Sequence, residues 1–91
     1  MERRGFVVRG RVQGVGFRWW TQRTGVSLGL GGHVRNLADG TVEVHAAGPS
    51  ERLDELEEAL QRGPASARVE GVERIQADPR TPTDDFLMER W

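Results

Sequence analysis

Two short stretches of the chain carry residues that could together hold and hydrolyse a phosphate group. The first reads GRVQGVGFR and covers residues 10–18. Its glycines allow several main-chain N–H groups to turn towards one anion, and the helix expected after it adds the positive end of its dipole. Arg18 can then close over the anion with two parallel N–H donors. The stretch predicts a phosphate site built from the main chain of residues 13–18 and the Arg18 side chain.

The familiar glycine motifs do not explain this stretch. A Walker loop needs a lysine, and the thirteen lysine and arginine positions of the chain are all arginine. A dinucleotide-binding fingerprint needs a third glycine where Trp19 stands. Because glycines also occur in turns that bind nothing, the glycines alone leave a ligand-free strand-to-helix turn open as the alternative.

The second stretch reads GHVRNLADGTVEV and covers residues 32–44, with Asn36 at a strand end before a hairpin turn. An asparagine in this position often acts as an Asx-turn residue that helps the chain bend. The functional alternative is a side-chain amide that holds a water molecule against the Arg18 pocket. In a split βαβ arrangement the strand that carries Asn36 can lie close to the far end of the first strand, so the two stretches can meet.

Hydrophobic periodicity and turn residues divide the chain into strands and helices that could position these two stretches. The predicted elements are a strand over 6–12, a helix over about 17–28 that contains Gly25, a hairpin over 32–47, a helix capped by Ser50 and stopped by Gly63, a strand over 67–76 with a bulge at Gly71, a polar loop over 77–85 and a short strand over 86–91. The order predicts an α+β sandwich in which an antiparallel sheet carries two helices on one face.

Composition restricts the classes of protein that the chain can represent. Ninety-one residues are enough for one domain, expected over residues 1–91, and the absence of cysteine excludes disulfides and thiolate metal sites. The N-terminus is charged and lacks the apolar core of a signal peptide, and no apolar run approaches the roughly 20 residues of a membrane span. We therefore expect a cytoplasmic protein with no membrane association.

The charges of the chain are unevenly distributed. Residues 1–36 contain seven arginines and one acid, a net charge of +6, whereas residues 37–91 contain six arginines and thirteen acids, a net charge of −7. One explanation is that the first segment binds an anion. The other is that the two segments neutralise each other across the sheet.

Several other polar or aromatic residues are candidates for the site. Strand alternation predicts that His45 is exposed, and two histidines without cysteine predict no metal site. The acids of the second helix predict a solvated face: Glu51, Asp54, Glu55, Glu57 and Glu58. Asp39 is predicted in a turn, Trp20 in the core and Trp19 at the rim of the pocket. The carboxylate of Trp91 could pair with an arginine near the site.

Taken together, the two stretches resemble the signatures of the acylphosphatase family. GRVQGVGFR matches its phosphate-loop signature, and GHVRNLADGTVEV matches its second signature at the same spacing. The resemblance extends over residues 5–76 and includes the Gly-Pro pairs on either side of the second helix. It implies a ferredoxin-like βαββαβ sandwich with a short C-terminal strand, and metal-independent hydrolysis of the carboxyl–phosphate bond of acyl phosphates without a cofactor.

The resemblance also implies roles for individual residues. The phosphate would be bound by Arg18 and by the amides of the loop: Gln13, Gly14, Val15, Gly16, Phe17 and Arg18. Asn36 would orient the attacking water, and inorganic phosphate would be product or inhibitor of a monomeric enzyme. The chain departs from the family at His33, where an aromatic residue is usual, and at Gly25. We expect His33 to point away from Val34 and Asn36 and to alter packing rather than catalysis.

Two other functions are compatible with the predicted topology. RNA-binding sheets share it, but they need exposed aromatics where the central strands here offer Val7, Arg9, Glu43 and His45. The chain could also be a non-catalytic module that binds a protein partner, as when such a domain sits inside a larger carbamoyl-transfer enzyme. Because the sequence ends at Trp91 without a second domain, we expect a free-standing enzyme. Because the central strands lack exposed aromatics, we expect it to bind no nucleic acid.

Overall fold

A computed structural model describes residues 1–89 and shows two helices packed on one face of a five-stranded sheet. The strands and helices in chain order are β1 (Glu2–Arg11), α1 (Phe17–Ser27), β2 (Gly31–Asn36), β3 (Val42–Gly48), α2 (Ser50–Arg62), β4 (Arg68–Ile75) and β5 (Phe86–Met88). The order of strands across the sheet is β4-β1-β3-β2-β5. Neither of the helices within residues 1–89 has the length and hydrophobicity required to cross a bilayer.

The predicted antiparallel sheet is confirmed for β1 to β4. β5 adds to β2 in parallel, so the whole sheet is mixed. β4 and β5 lie at opposite edges of the sheet. The loop after β4 crosses from one edge to the other and enters β5 in the same direction as β2. The predicted bulge is present one residue from its expected place, because Arg9 pairs with Gly71 and Gly10 with Val69, which leaves Glu70 unpaired.

The hydrophobic core lies between the sheet and the two helices. Its fully buried side chains alternate along the strands and recur at helical spacing in α2, as predicted: Phe6, Val8, Val34, Val42, Val44, Leu53, Leu56 and Leu60. In α1 the buried row is Phe17, Thr21 and Gly25, whereas Trp20 and Leu28 are only partly buried against the core. Helical spacing alone would place Phe17, Trp20, Thr24 and Leu28 on one side of α1, so the true packing face is rotated relative to that expectation.

The predicted Ser50 cap of α2 is wrong. Pro49 occupies the N-cap position in an extended conformation, and no side chain caps this helix end. The Pro49 carbonyl accepts the first helical hydrogen bonds from the amides of Arg52 and Leu53 instead. At the other end Gly63 terminates the helix and donates to the Ala59 carbonyl, as predicted.

The prediction that His45 is exposed is also wrong, because this side chain is only 5% accessible. Alternation correctly places it on the face of the sheet opposite the helices. The loop between β4 and β5 crosses that face, however, and the Asp78 amide donates to His45 Nδ1 over 3.3 Å. The imidazole also stacks on His33 at 4.9 Å between ring centroids.

The buried His45 makes folding sensitive to mildly acidic pH. Burial lowers the pKa of His45 below its ordinary value of 6.5; the carboxylates of Glu43 and Asp78 oppose this effect, and the positive charges of His33 and Arg35 reinforce it. The unfolded chain therefore takes up a proton at a higher pH than the folded chain does. The contribution of His45 to the free energy of unfolding is fully present above the pKa that the histidine has in the unfolded chain, and it declines as the pH falls below that pKa.

We predict that His45→Gln reduces the slope of the free energy of unfolding against pH below about 6.5. Urea unfolding at a series of pH values measures this slope. His33→Gln is the comparison variant: it retains the buried imidazole, and because burial is a larger cause of the shift than the charge of His33, it should lose only a small part of the slope. Equal slopes in the wild type and His45→Gln would contradict the assignment.

Gly25 makes a second prediction possible, because a methyl group at this position would overlap the ring of Phe86. The helix α1 thus approaches the sheet closely at Gly25. Helix propensity alone favours alanine by about 1 kcal/mol, whereas forced overpacking costs about 1–3 kcal/mol. We predict that Gly25→Ala lowers the free energy of unfolding, and that Phe86→Leu in the same chain relieves the loss. A more stable Gly25→Ala variant in denaturant unfolding would refute the packing argument.

Candidate active site

The loop between β1 and α1 turns its main chain outwards at two glycines. Gly14 and Gly16 have φ angles of 74° and 79°, in the left-handed region that other residues adopt only with strain. A methyl group on either glycine would meet no atom within 4 Å. The glycines are therefore required by the backbone angle and not by crowding, and the space next to them is open.

The N-terminus of α1 lacks the groups that usually neutralise a helix end. Gly16 is the N-cap residue, no side chain caps the helix, and no acidic residue lies in its first turn. Within residues 1–89, none of the main-chain N–H groups of residues 13–18 donates to another protein atom. Uncompensated N–H groups and the positive end of the dipole together favour an anion at this position.

The loop opens into a pocket of about 220 Å³. Its lining combines the loop glycines with Val12 and with residues of α1, β2 and β5: Val12, Gly14, Gly16, Phe17, Arg18, Trp19, Asn36 and Met88. The structure thus brings the two predicted side chains, Arg18 and Asn36, to one pocket. Of the predicted phosphate loop, Gly14, Gly16, Phe17 and Arg18 line the pocket, whereas Gln13 and Val15 are not among the lining residues.

The Arg18 guanidinium is partly buried in the first turn of α1. Its Nη1 group donates to the Glu89 carbonyl, and the Glu89 amide donates in turn to the Val34 carbonyl over 2.9 Å. The chain that follows β5 therefore fixes Arg18 against the end of β2. An arginine has five N–H donors, so further donors remain for a ligand in the pocket. The predicted contact of the Trp91 carboxylate lies outside the described residues.

Asn36 ends β2, where it pairs in register with Val42. Its Oδ1 atom is buried and has no hydrogen-bond partner within residues 1–89. The turn that follows uses Asp39 instead, since the amide and hydroxyl of Thr41 donate to Asp39 Oδ1 over 3.0 and 2.6 Å. These bonds also lower the pKa of Asp39. The Asx-turn interpretation therefore belongs to Asp39, and the Asn36 oxygen remains available as an acceptor.

The side chain of Gln13 connects the two halves of the pocket, which the sequence did not indicate. Its Nε2 donates to the carbonyls of Leu37 and Thr41, both over 2.8 Å. These two carbonyls belong to the turn directly after Asn36, so the bonds hold the β1–α1 loop and the β2–β3 turn at a constant separation. The partners are 24 and 28 residues away in the chain, and no local pattern reveals such a contact.

The arginines of the first segment differ in their surroundings. Arg4 pairs with Asp54 at 2.6 Å and Arg35 with Glu43 at 2.7 Å, so these two are neutralised by acids of the second segment. Arg18 instead lines the pocket. Most acids of α2 are exposed as predicted, but Glu57 is partly buried by its pairing with Arg74 at 2.6 Å.

His33 lies outside the pocket, on the opposite face of the sheet from Val34 and Asn36. It lines a separate cavity of about 390 Å³ that also contains Arg35, Glu43 and Asp78. Its nitrogens lie 3.9 Å from an Asp78 carboxylate oxygen and 3.7 Å from a Glu89 carboxylate oxygen. His33 therefore lies on the face of the sheet away from the Arg18 pocket, as expected.

Comparison with known proteins agrees with this arrangement. The acylphosphatase family model matches residues 4–88. An acylphosphatase of Koribacter versatilis is 50% identical over 88 residues, which cover 97% of this chain and 80% of the relative. The crystal structure of acylphosphatase from Bacillus subtilis superposes with a TM-score of 0.90 at 32% identity, and covers 99% of this chain and all of that one.

The chain belongs to the acylphosphatase family. Membership makes it an enzyme that hydrolyses acyl phosphates, with the βαββαβ ferredoxin-like fold and a short C-terminal strand. The same fold also occurs within larger proteins: T. kodakarensis HypF matches 99% of this chain at 30% identity and a TM-score of 0.84, over 12% of its own length.

Proposed function

We propose that the Arg18 pocket cleaves the carboxyl–phosphate bond of acyl phosphates to carboxylate and inorganic phosphate, without a metal. The phosphate would lie on the amides of residues 13–18 and on the Arg18 guanidinium, with the attacking water on Asn36. One observation carries the proposal: unpaired N–H donors and a guanidinium share a pocket with a buried amide oxygen that has no partner within residues 1–89.

The reaction needs few catalytic groups. Water attacks phosphorus, the bond from phosphorus to the bridging oxygen breaks, and the carboxylate leaves with the electron pair and without a proton. A general acid is therefore unnecessary. A nonbridging oxygen of the phosphate accepts the proton from the water, which gives dihydrogen phosphate from a dianionic substrate.

Each proposed residue acts on one part of this step. The loop amides and Arg18 stabilise the charge on the three equatorial oxygens of the phosphoryl group. The Asn36 oxygen accepts a hydrogen bond from the water and places it in line with the bond that breaks. Because the guanidinium and amides supply the positive charge, we expect chelators to leave the rate unchanged.

The complete site comes from one chain, which supports a monomeric enzyme. We propose that residues 1–91 act as one cytoplasmic domain on a free small-molecule acyl phosphate, with inorganic phosphate as product and inhibitor. We propose that the protein binds no nucleic acid, because the β4–β5 loop and the ion pair of Arg35 with Glu43 occupy part of the sheet face on which RNA bases would stack.

We predict that Arg18→Ala lowers kcat/KM for an acyl phosphate by at least about 100-fold and weakens inhibition by inorganic phosphate, because it removes the charged donor. Phosphate release measures turnover, and a phosphate monoester serves as the substrate control. The matched variant is Arg52→Ala, which removes an exposed arginine from the first turn of α2 and should have wild-type kinetics. Undiminished turnover in Arg18→Ala would overturn the assignment.

We predict a different result for Asn36→Ala, which should lower kcat severely and leave the inhibition constant of phosphate unchanged. The reason is that the amide acts on the water and not on the bound phosphate. Steady-state kinetics with phosphate as competitive inhibitor separates the two effects. If turnover and phosphate affinity fall by the same factor, Asn36 binds phosphate and does not position water.

A further inference from the structure

Two large exposed apolar side chains flank the polar centre of the Arg18 pocket. Trp19 is 56% accessible and Met88 is 40% accessible, and both line the same pocket as Arg18 and Asn36. They come from different elements, α1 and β5, that pack beside each other. A single exposed apolar residue needs no explanation, but two that converge on one polar pocket indicate a ligand with an apolar part.

The Trp19 ring is covered on one face by an arginine. The Arg23 guanidinium, one helical turn further along α1, lies 4.9 Å from the centroid of the ring. This cation–π contact restricts the ring and lowers the entropy lost when a ligand stacks on it. The pocket also has two buried apolar wall residues, Val12 and Phe17, each 1% accessible.

The orientation of a bound substrate follows from the proposed phosphate position. If the phosphoryl group lies on the loop amides and Arg18, the acyl carbon is only one bridging oxygen away from phosphorus. The remainder of the acyl group must then extend towards the mouth of the pocket, where Trp19 and Met88 are exposed. A flat aromatic ring can stack on tryptophan, and the flexible thioether of methionine adapts to different shapes.

We propose that Trp19 and Met88 form a subsite for the acyl group, which favours substrates with an aromatic or bulky apolar acyl group over small ones. This inference rests on the proposed function. The two side chains contact a part of the substrate that does not change during the reaction. They therefore contribute equally to binding of the ground state and the transition state, and their removal raises KM with little change in kcat.

The test compares benzoyl phosphate with acetyl phosphate in the wild type, Trp19→Ala and Met88→Ala. For Trp19→Ala we expect KM for benzoyl phosphate to rise roughly 5- to 10-fold, the range of one lost aromatic stacking contact, with KM for acetyl phosphate changed by less than about 2-fold. Met88→Ala should give the same pattern with a smaller increase. The inhibition constant of inorganic phosphate should stay unchanged in both variants, because the phosphate site is intact.

Val26→Ala is the matched control, since Val26 is also on α1 and is 61% accessible but does not line the pocket. It should leave both KM values unchanged. Equal changes for the two substrates, or none for either, in Trp19→Ala and Met88→Ala would overturn the subsite while wild-type turnover still supported the proposed function. A wild-type enzyme that released phosphate from neither substrate would overturn the proposed function and the subsite together.

Discussion

The site depends on main-chain N–H groups at the start of α1 that have no acceptor within residues 1–89. A helix of this kind normally begins with a side-chain cap or an acidic first turn, and α1 begins with a left-handed glycine and an arginine. Within residues 1–89, the arrangement leaves the N–H groups of Gly14 and Gly16 without an acceptor and places the positively charged Arg18 beside them. The rest of the fold keeps that charge open to a ligand and places one acceptor, the Asn36 oxygen, beside it.

Contacts distant in sequence hold the two parts of the site together. β3 lies between β1 and β2 and is antiparallel to both, so β1 and β2 run in the same direction. The loop that follows β1 and the residue that ends β2 therefore lie at the same end of the sheet. The Gln13 amide then joins the loop to the β2–β3 turn, and the Glu89 carbonyl holds Arg18 against β2. Each of these contacts restrains a group that must stay within hydrogen-bond distance of a bound phosphate. A reaction that depends on orienting its reactants requires such accurate positions.

Local sequence was sufficient wherever a periodicity or a paired motif determined the structure. The leucines at positions 53, 56 and 60 recur at helical spacing and form the buried face of α2, and the two stretches around Arg18 and Asn36 predicted that these side chains meet at one pocket. The predictions failed where a distant segment decides the outcome. His45 is buried by the β4–β5 loop, and the true packing face of α1 is set by Phe86 against Gly25. Strand and helix periods contain no information on those contacts.

The central claim is that the amides of residues 13–18 and the Arg18 guanidinium bind phosphate directly. An NMR titration of ¹⁵N-labelled protein with inorganic phosphate, followed at the backbone amides and the arginine side-chain N–H groups, tests it without relying on turnover. The account predicts saturable downfield proton shifts that are largest at Gly14, Gly16, Phe17 and Arg18, with one common dissociation constant. Shifts that are absent there, or that are larger at the arginines of another surface, would contradict it.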